Sequence, residues 1–151
     1  MLRQTLSDAL KTAMRDKEGR TVATLRLIIA ALKDKDIAAR ASDGDDQIDD
    51  NEILAMLQSM IKQRQDSVKA FEEGGRPELA AQENEEIGII RGFLPAQLEG
   101  EALTAAIDDV IAETGAESLK DMGPVMAALK ARFPGQIDFA KASGVVREKL
   151  A

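Results

Sequence analysis

The 151-residue sequence contains no cysteine, histidine, tryptophan or tyrosine, and its aromatic residues are four phenylalanines. Without cysteine there is no disulfide framework and no thiolate metal site, and without histidine the usual proton shuttle and the commonest metal ligand are missing. No phosphate-binding loop, dinucleotide fingerprint or nucleophile elbow occurs, and the six serines have no imidazole to activate them. We therefore expect no catalytic residues, no metal, no cofactor and no activity of the chain by itself.

Long apolar segments are also missing. The N-terminal residues lack the apolar stretch of a secretion signal, and the longest apolar run, Leu27 to Leu32, is far too short to cross a bilayer. These absences predict a cytoplasmic protein without a membrane partner. The net charge of −7 opposes indiscriminate binding to nucleic acid, because the long-range field repels polyanions. A nucleic-acid partner would need a locally basic surface.

What is present is helical periodicity, which predicts an all-α protein. In residues 1–95 we expect an N-terminal domain of four helices. The first should end at Gly19 and pack against the second as a hairpin, the third should have its N-cap at Asp49, and the fourth should begin at Pro77 and end before Pro95. The inward residues should be Leu2, Leu6, Leu10, Met14, Leu25, Ile28, Ile29, Leu32, Ile53, Leu57, Met60, Ile61, Val68, Phe71, Leu79, Ile87, Ile90, Phe93 and Leu94.

Residues 96–151 are expected to form a C-terminal three-helix domain. Pro124 is acceptable only within the first turn of the middle helix, which places the N-cap of that helix at or near Asp121 and leaves Gly123 at an exposed end. We find no coiled-coil heptad run in the sequence. The inward residues of this domain should be Leu103, Ile107, Val110, Ile111, Leu119, Met122, Val125, Met126, Leu129 and Phe133.

Charge is unevenly distributed in the C-terminal domain. Residues 96–119 hold six acidic residues and no Lys or Arg, whereas residues 120–151 hold six cations and three acidic residues, a net charge of +3. The cations are either a solvated helix face or phosphate contacts. A helix N-terminus offers unpaired N–H groups to an anion, and Gly123 allows a ligand backbone to come close.

Two other patterns have competing interpretations. The acidic run from Asp43 to Glu52 suggests calcium, but its spacing does not fit an EF-hand, and a solvated loop that leads into a helix cap is favoured. Four methionines lie at i, i+4 spacing in two helices and indicate either core filling, which we favour, or an adaptable partner groove. These are Met56, Met60, Met122 and Met126.

Three segments resemble the YqeY-like, or GatB/YqeY, family. They are ATLRLIIAALKDKDIAA (Ala23 to Ala39), EILAMLQSMIKQRQDSVKAFEEGGRPELAAQENEEIGIIRGFLPAQL (Glu52 to Leu98) and SLKDMGPVMAALKARFPG (Ser118 to Gly135). That family is similar to the tail of the B subunit of glutamine-dependent aspartyl/glutamyl-tRNA amidotransferase. The resemblance implies two helical domains and contact with the outer body of tRNA. The family-level activity is that of a carbon–nitrogen ligase with glutamine as amido-nitrogen donor, for which this chain has no catalytic constellation.

The resemblance and the basic C-terminal segment together predict a non-catalytic protein associated with tRNA, an amidotransferase or an aminoacyl-tRNA synthetase. Its C-terminal domain would dock RNA. The expected phosphate contacts are Lys120, Gly123, Lys130 and Arg132, with Lys141, Arg147 and Lys149 as supporting charge. The alternative is a protein–protein adaptor that uses its N-terminal helices without RNA. A genuine amidotransferase component would require other subunits for activity.

Overall fold

The computed structural model describes residues 1–42, 44 and 46–151. Over these residues it contains seven α-helices, one 3-10 turn and no strand, which confirms the all-α prediction. The helices are α1 (Leu2–Arg15), α2 (Gly19–Ser42), α3 (Asp50–Glu73), α4 (Pro77–Arg91), α5 (Gly100–Thr114), α6 (Met122–Arg132) and α7 (Phe139–Leu150), and the 3-10 turn is Leu119–Asp121. The chain separates into two compact units, Met1–Leu94 and Pro95–Ala151, and each is described by itself. That the two units are separate folding domains stays a prediction.

The first unit is built from two helix pairs. Helix α1 packs against α2, as the predicted hairpin requires, and α3 packs against α4, while α2 also contacts α4. The apolar side chains between these helices are buried because they recur at the spacing of one helix face, which lies against the neighbouring helices. The buried core consists of Leu6, Ala13, Leu25, Ile28, Leu32, Ala39, Ile48, Ile53, Met56, Leu57, Met60, Ile61, Ile87 and Ile90.

The helix ends of the first unit follow local signals in two of three cases. The Asp49 carboxylate accepts the N–H of Glu52 at 2.8 Å, which confirms the predicted N-cap of α3. Pro77 occupies the first turn of α4, as predicted. The predicted end of α1 at Gly19 is wrong, because the chain turns earlier, at Lys17 with φ of 57°, and α2 already begins at Gly19.

A half-buried polar network connects α1, α2 and the segment before α3. The Arg3 guanidinium donates to both carboxylate oxygens of Asp36, at 2.7 and 2.5 Å, and to the carbonyl of Ile48 at 2.9 Å. The N–H of Ile48 donates in turn to Asp36 at 2.9 Å. The hydrogen bond from Arg3 holds the pKa of Asp36 below its ordinary value of 3.8, and the same contact raises the pKa of Arg3. This network fixes how the three segments meet.

The second unit is a three-helix arrangement in which α5, α6 and α7 each contact the other two. Gly115, with φ of 69°, ends α5 in the left-handed conformation that favours glycine. Ile137 lies in the α6–α7 connection yet is fully buried, and the N–H of Leu98 bonds to the neighbouring carbonyl of Gln136 at 2.8 Å. The buried core consists of Leu103, Ile107, Val110, Val125, Leu129, Ile137, Ala142, Val146 and Leu150.

Two predicted inward residues are instead exposed. Met14 and Leu119 have exposed fractions of 51% and 50%. Leu119 lies in the 3-10 turn, whose three residues per turn change the phase that a continuous α-helix would have. The methionine prediction is confirmed for Met56 and Met60, which are core residues with exposed fractions of 5% and 9%.

Candidate nucleic-acid interface

The entry to α6 is capped by the chain itself. Ser118 and Asp121 form a capping box around the 3-10 turn, in which each side chain bonds to the backbone of the other residue. The Asp121 carboxylate accepts the N–H of Ser118 at 3.2 Å and the N–H of Glu117 at 2.9 Å. Ser118 is thus the cap of the 3-10 turn. Asp121 is the N-cap residue of α6, as expected, but its side chain reaches backwards and accepts no hydrogen bond from α6.

This arrangement argues against the expected binding of an anion at the N-terminus of α6. An anion at a helix N-terminus binds to unpaired N–H groups. At this terminus the Asp121 carboxylate already binds the N–H groups of Glu117 and Ser118 and brings a negative charge to the same place. This carboxylate would repel a phosphate, so the side of α6 is a better candidate for phosphate binding than its N-terminus.

One side of α6 is exposed and carries small residues between two lysines. Gly123 and Ala127 are exposed, and at 100° per residue they share with Lys130 an arc of about 60° on the helix surface. A Cβ added to Gly123 would meet no atom within 4 Å, so neighbouring atoms do not require glycine there. Lys120 precedes this side in the 3-10 turn and is also exposed. We call Lys120, Gly123, Ala127 and Lys130 the basic face.

The side chains of the two lysines of the basic face form no ion pair or hydrogen bond with any residue that the structure describes. Lys120 and Lys130 are ten residues apart, which corresponds to about 15 Å along a helix. On the exposed side of α6, the small residues Gly123 and Ala127 lie between them. A phosphate backbone can therefore approach this side of α6 closely and meet a free ammonium group at either end.

Arg132 and Lys149 are placed differently. Arg132 donates to Glu113 of α5 at 2.7 Å, and its guanidinium lies 5.6 Å from the ring centroid of Phe133. Lys149 forms an ion pair with Asp108 of α5 at 2.7 Å. Both cations therefore connect their own helix to the acidic helix α5, and a phosphate would have to compete with these carboxylates.

Lys141 and Arg147 are exposed residues of α7 without an ion pair among the described residues. They lie about 120° apart around the helix, at 100° per residue. Lys141 borders an open depression of about 610 Å³ that it shares with Asp108 and Val145. The structure thus places Gly123 and Lys130 on one side of α6, leaves Lys120 exposed in the preceding 3-10 turn, and distributes the four other predicted residues over other surfaces.

Among residues 1–42, 44 and 46–151 no group of three or more acidic side chains is placed to hold a metal ion. The predicted calcium alternative falls partly on Asp43 and Asp45, which lie outside the described residues. No helix in the described part of the chain has the length and apolar character of a membrane span.

Comparison with known proteins identifies the family. The model of the Yqey-like protein family matches residues 3–150. The chain belongs to this family. The resemblance that the three segments of the sequence indicate is thereby confirmed at the level of the family. The similarity to the amidotransferase tail is consistent with this membership and stays an expectation.

Curated relatives of this Yqey-like protein are yeast proteins. The protein named Altered inheritance of mitochondria protein 41, mitochondrial, from Lachancea thermotolerans is 30% identical over 111 residues, which is 72% of this chain and 57% of the relative. Proteins of the same name from Saccharomyces cerevisiae strain YJM789 and Eremothecium gossypii are 30% and 29% identical, over 59% and 60% of this chain and 46% and 48% of theirs. The chain spans about half the length of the curated relatives it matches.

These names contradict the expected cytoplasmic location. The relatives are named as mitochondrial proteins, and this finding overturns the expectation of a cytoplasmic protein. The prediction was wrong because it used the lack of an apolar N-terminal segment. Mitochondrial targeting segments are amphipathic and rich in arginine, so the absence of an apolar segment does not distinguish the two compartments.

Proposed function

We propose that this Yqey-like protein is a non-catalytic RNA-binding protein that accompanies tRNA-dependent amidation. Its partner on the RNA side is tRNA, whose phosphates bind to the basic face of α6. Its protein partner is an amidotransferase or an aminoacyl-tRNA synthetase. The observation that carries the proposal is the pair of unpaired lysines, Lys120 and Lys130, on either side of the small exposed residues Gly123 and Ala127.

The chemistry of the basic face fits a phosphate backbone better than a base. A lysine ammonium group is a point charge that binds phosphate without reading sequence. Small residues allow the sugar–phosphate chain to lie directly on the helix. The proposal includes Arg132, Lys141, Arg147 and Lys149 as supporting charges, with Arg132 and Lys149 available only after exchange of a carboxylate partner.

The charge of the whole chain sets the expected strength. At a net charge of −7 the protein repels RNA at long range, so binding must come from short-range contacts. Neutralisation of phosphates releases counterions, and the affinity should therefore fall steeply as salt rises. We expect measurable binding at about 50 mM salt and weak binding at about 200 mM salt.

The experiment measures tRNA binding by a Lys120→Glu, Lys130→Glu variant at several salt concentrations. Binding should weaken at least tenfold, and the slope of log affinity against log salt should flatten by about 0.7–0.9 for each lost contact. The control is a Lys62→Glu, Lys69→Glu variant. It changes the net charge equally at two exposed positions of α3 that form no ion pair with described residues. The control should retain its affinity within about twofold.

A second variant tests the shape of the basic face without a change of charge. Ala127→Leu keeps a strong helix former at an exposed position, so the fold should be unaffected. The larger side chain should weaken tRNA binding by blocking the approach of the backbone, whereas Ala81→Leu on the exposed side of α4 should have no effect. Equal losses in the lysine variant and its control, or no binding by the wild-type protein, would refute the proposal and leave the adaptor alternative.

A further inference from the structure

The outer side of α2 carries apolar residues that are exposed among the residues the structure describes. Two of the exposed large hydrophobic residues, Leu27 and Ile37, lie on this helix with exposed fractions of 50% and 62%. They belong to a row of exposed positions whose spacing alternates between four and three residues, which is the heptad spacing of a coiled-coil seam. We call this row the outer seam: Ala23, Leu27, Ala30, Asp34, Ile37 and Ala41.

The outer seam is separate from the side of α2 that faces the core. Leu25, Ile28 and Leu32 are buried in the first unit, so the helix is apolar on two different sides. A helix that is apolar all round is ordinarily buried on all sides. Here the second apolar side is exposed. It is hard to recognise in the sequence, because the periodicity of the core residues dominates the pattern.

One edge of the outer seam is basic. Arg26, Lys33 and Arg40 are exposed and follow each other at intervals of seven residues, each directly before a seam position. Arg26 and Lys33 form no ion pair within the described residues, and Arg40 lies 3.6 Å from Asp46 with both side chains mostly in solvent. The other edge carries Ala31 and Ala38 and no charge. The seam therefore has a positive edge on an acidic protein, and two of its three cations, Arg26 and Lys33, have no acidic partner among the described residues.

A second copy of the chain does not complement this surface. In an antiparallel pair the two basic edges would face each other, and Arg26, Lys33 and Arg40 would meet cations. In a parallel pair the basic edge would face the alanine edge, and Asp34 would face its own copy across the seam. Both arrangements leave charges uncompensated or opposed, so the occupant must have a different sequence.

We propose that the outer seam of α2 docks an amphipathic α-helix of another protein, with acidic residues along the edge that meets Arg26, Lys33 and Arg40. A cation of this partner helix lies opposite Asp34, because a buried carboxylate without a partner would oppose docking. From Ala23 to Ala41 the seam is about 27 Å long, at 1.5 Å per residue, which suits a partner helix of about 18–20 residues. The alanines allow a close approach of the two helix axes.

A depression at the C-terminal end of the seam adds a place for a partner side chain. It has a volume of about 610 Å³ and is bordered by Lys33, Asp36, Ile37, Arg40, Asp46 and Gln47. Because a single helix on a helix covers a small area, the complex is of the weak, transient kind. The charged edge gives it specificity and sensitivity to salt. The proposal concerns α2 of the first unit and does not depend on RNA binding by α6.

The experiment uses the full chain and two synthetic helical peptides of three heptads. Both have leucine at the seam positions except for one lysine placed opposite Asp34. One peptide has glutamate at both edges and the other has lysine. We expect the glutamate peptide to bind at least tenfold more tightly in fluorescence anisotropy. This result is diagnostic because the net charge of −7 alone would favour the lysine peptide.

Variants assign the binding to the outer seam. Leu27→Glu with Ile37→Glu should abolish binding of the glutamate peptide. The matched control, Met14→Glu with Leu119→Glu, changes two equally exposed apolar residues elsewhere and should bind as the wild type does. Arg26→Glu with Lys33→Glu should invert the preference towards the lysine peptide. Circular dichroism confirms that each variant is folded.

Three outcomes would overturn the proposal. Equal binding of both peptides would mean apolar adhesion without charge recognition. Binding that survives in the Leu27→Glu, Ile37→Glu variant would place the contact elsewhere on the molecule. Self-association of the wild-type chain in analytical ultracentrifugation that this same variant abolishes would show that a second copy occupies the seam.

Discussion

The two units use charged side chains in different ways. Two ion pairs between helices of the first unit are largely shielded from water: the side chains of Arg3 and Asp36 are 26% and 15% exposed, and those of Arg64 and Glu86 are 14% and 20% exposed. A third pair of this unit, Arg20 with Glu85, is 40% and 62% exposed. In the second unit Arg132 and Glu113 are 44% and 62% exposed. Shielded pairs with several hydrogen bonds constrain packing, whereas exposed pairs contribute little to stability. The second unit therefore keeps cations that can exchange partners.

The largest expected effect tests whether the units are independent. Leu57 in the first unit and Leu129 in the second are fully buried, and each change to alanine should cost about 2–5 kcal/mol. If the units fold separately, thermal unfolding of the wild-type chain shows two transitions, and each variant lowers only one of them. The exposed Leu119→Ala serves as the control and should leave both transitions in place. A single transition that both core variants lower equally would contradict the division.

A medium effect is expected from the Arg3–Asp36 network. Arg3→Ala removes both guanidinium hydrogen bonds from a half-buried carboxylate and leaves it only the N–H of Ile48, so it should destabilise the first unit by about 2–3 kcal/mol in urea unfolding. Arg40→Ala removes an exposed partner of Asp46 and should cost at most about 0.5 kcal/mol. Similar losses in the two variants would mean that shielding does not distinguish the pairs, and the comparison between the units would fail.

The same network should make the first unit sensitive to acid. The folded pKa of Asp36 lies below the ordinary value of 3.8, so its stabilisation is complete above that value and is lost as pH falls through the folded pKa. The free energy of unfolding of the wild type should therefore decline below pH 3.8. The Asp36→Asn variant starts lower and should show a smaller decline over the same pH range. An equal decline in both would assign the acid sensitivity to other carboxylates.

The sequence predicts those parts of the fold that depend on neighbouring residues. The N-cap at Asp49 and the start of α4 at Pro77 are correct because each acts within a single turn of helix. The left-handed Lys17 has no comparable signal, and the end of α1 was consequently placed too late. Ile48 and Ile137 are buried in connections between helices, where no periodicity indicates burial.

In the candidate site, too, the sequence predicts features that depend on nearby residues and misses features that depend on residues far along the chain. The exposed lysines of the basic face follow from their positions around α6. The partner of Arg132 comes from α5, 19 residues away, and nothing in the local sequence of α6 indicates that contact. The capping box at Ser118 corresponds to an S-x-x-D pattern that is visible in the sequence. The prediction used the position of Pro124 instead, and Pro124 alone does not identify the box. The outer seam of α2 is recognised from the exposure of Leu27 and Ile37 in the structure. The sequence alone does not show that these two residues are exposed.

The smallest expected effect sharpens the contrast between shielded and exposed pairs. Glu113→Gln removes the charged partner of Arg132 at an exposed site, so the free energy of unfolding should change by less than about 0.5 kcal/mol. The same change removes one negative charge beside the proposed RNA surface and frees Arg132 for phosphate. Binding of tRNA should tighten severalfold and become more dependent on salt, because one additional phosphate is neutralised.

Asp109→Asn, an equal change of charge at an exposed α5 position without an ion pair in the described structure, is the control. Tighter binding in both variants would indicate a general effect of net charge. Tighter binding in Glu113→Gln alone would show that the ion pair with Glu113 keeps Arg132 from binding phosphate.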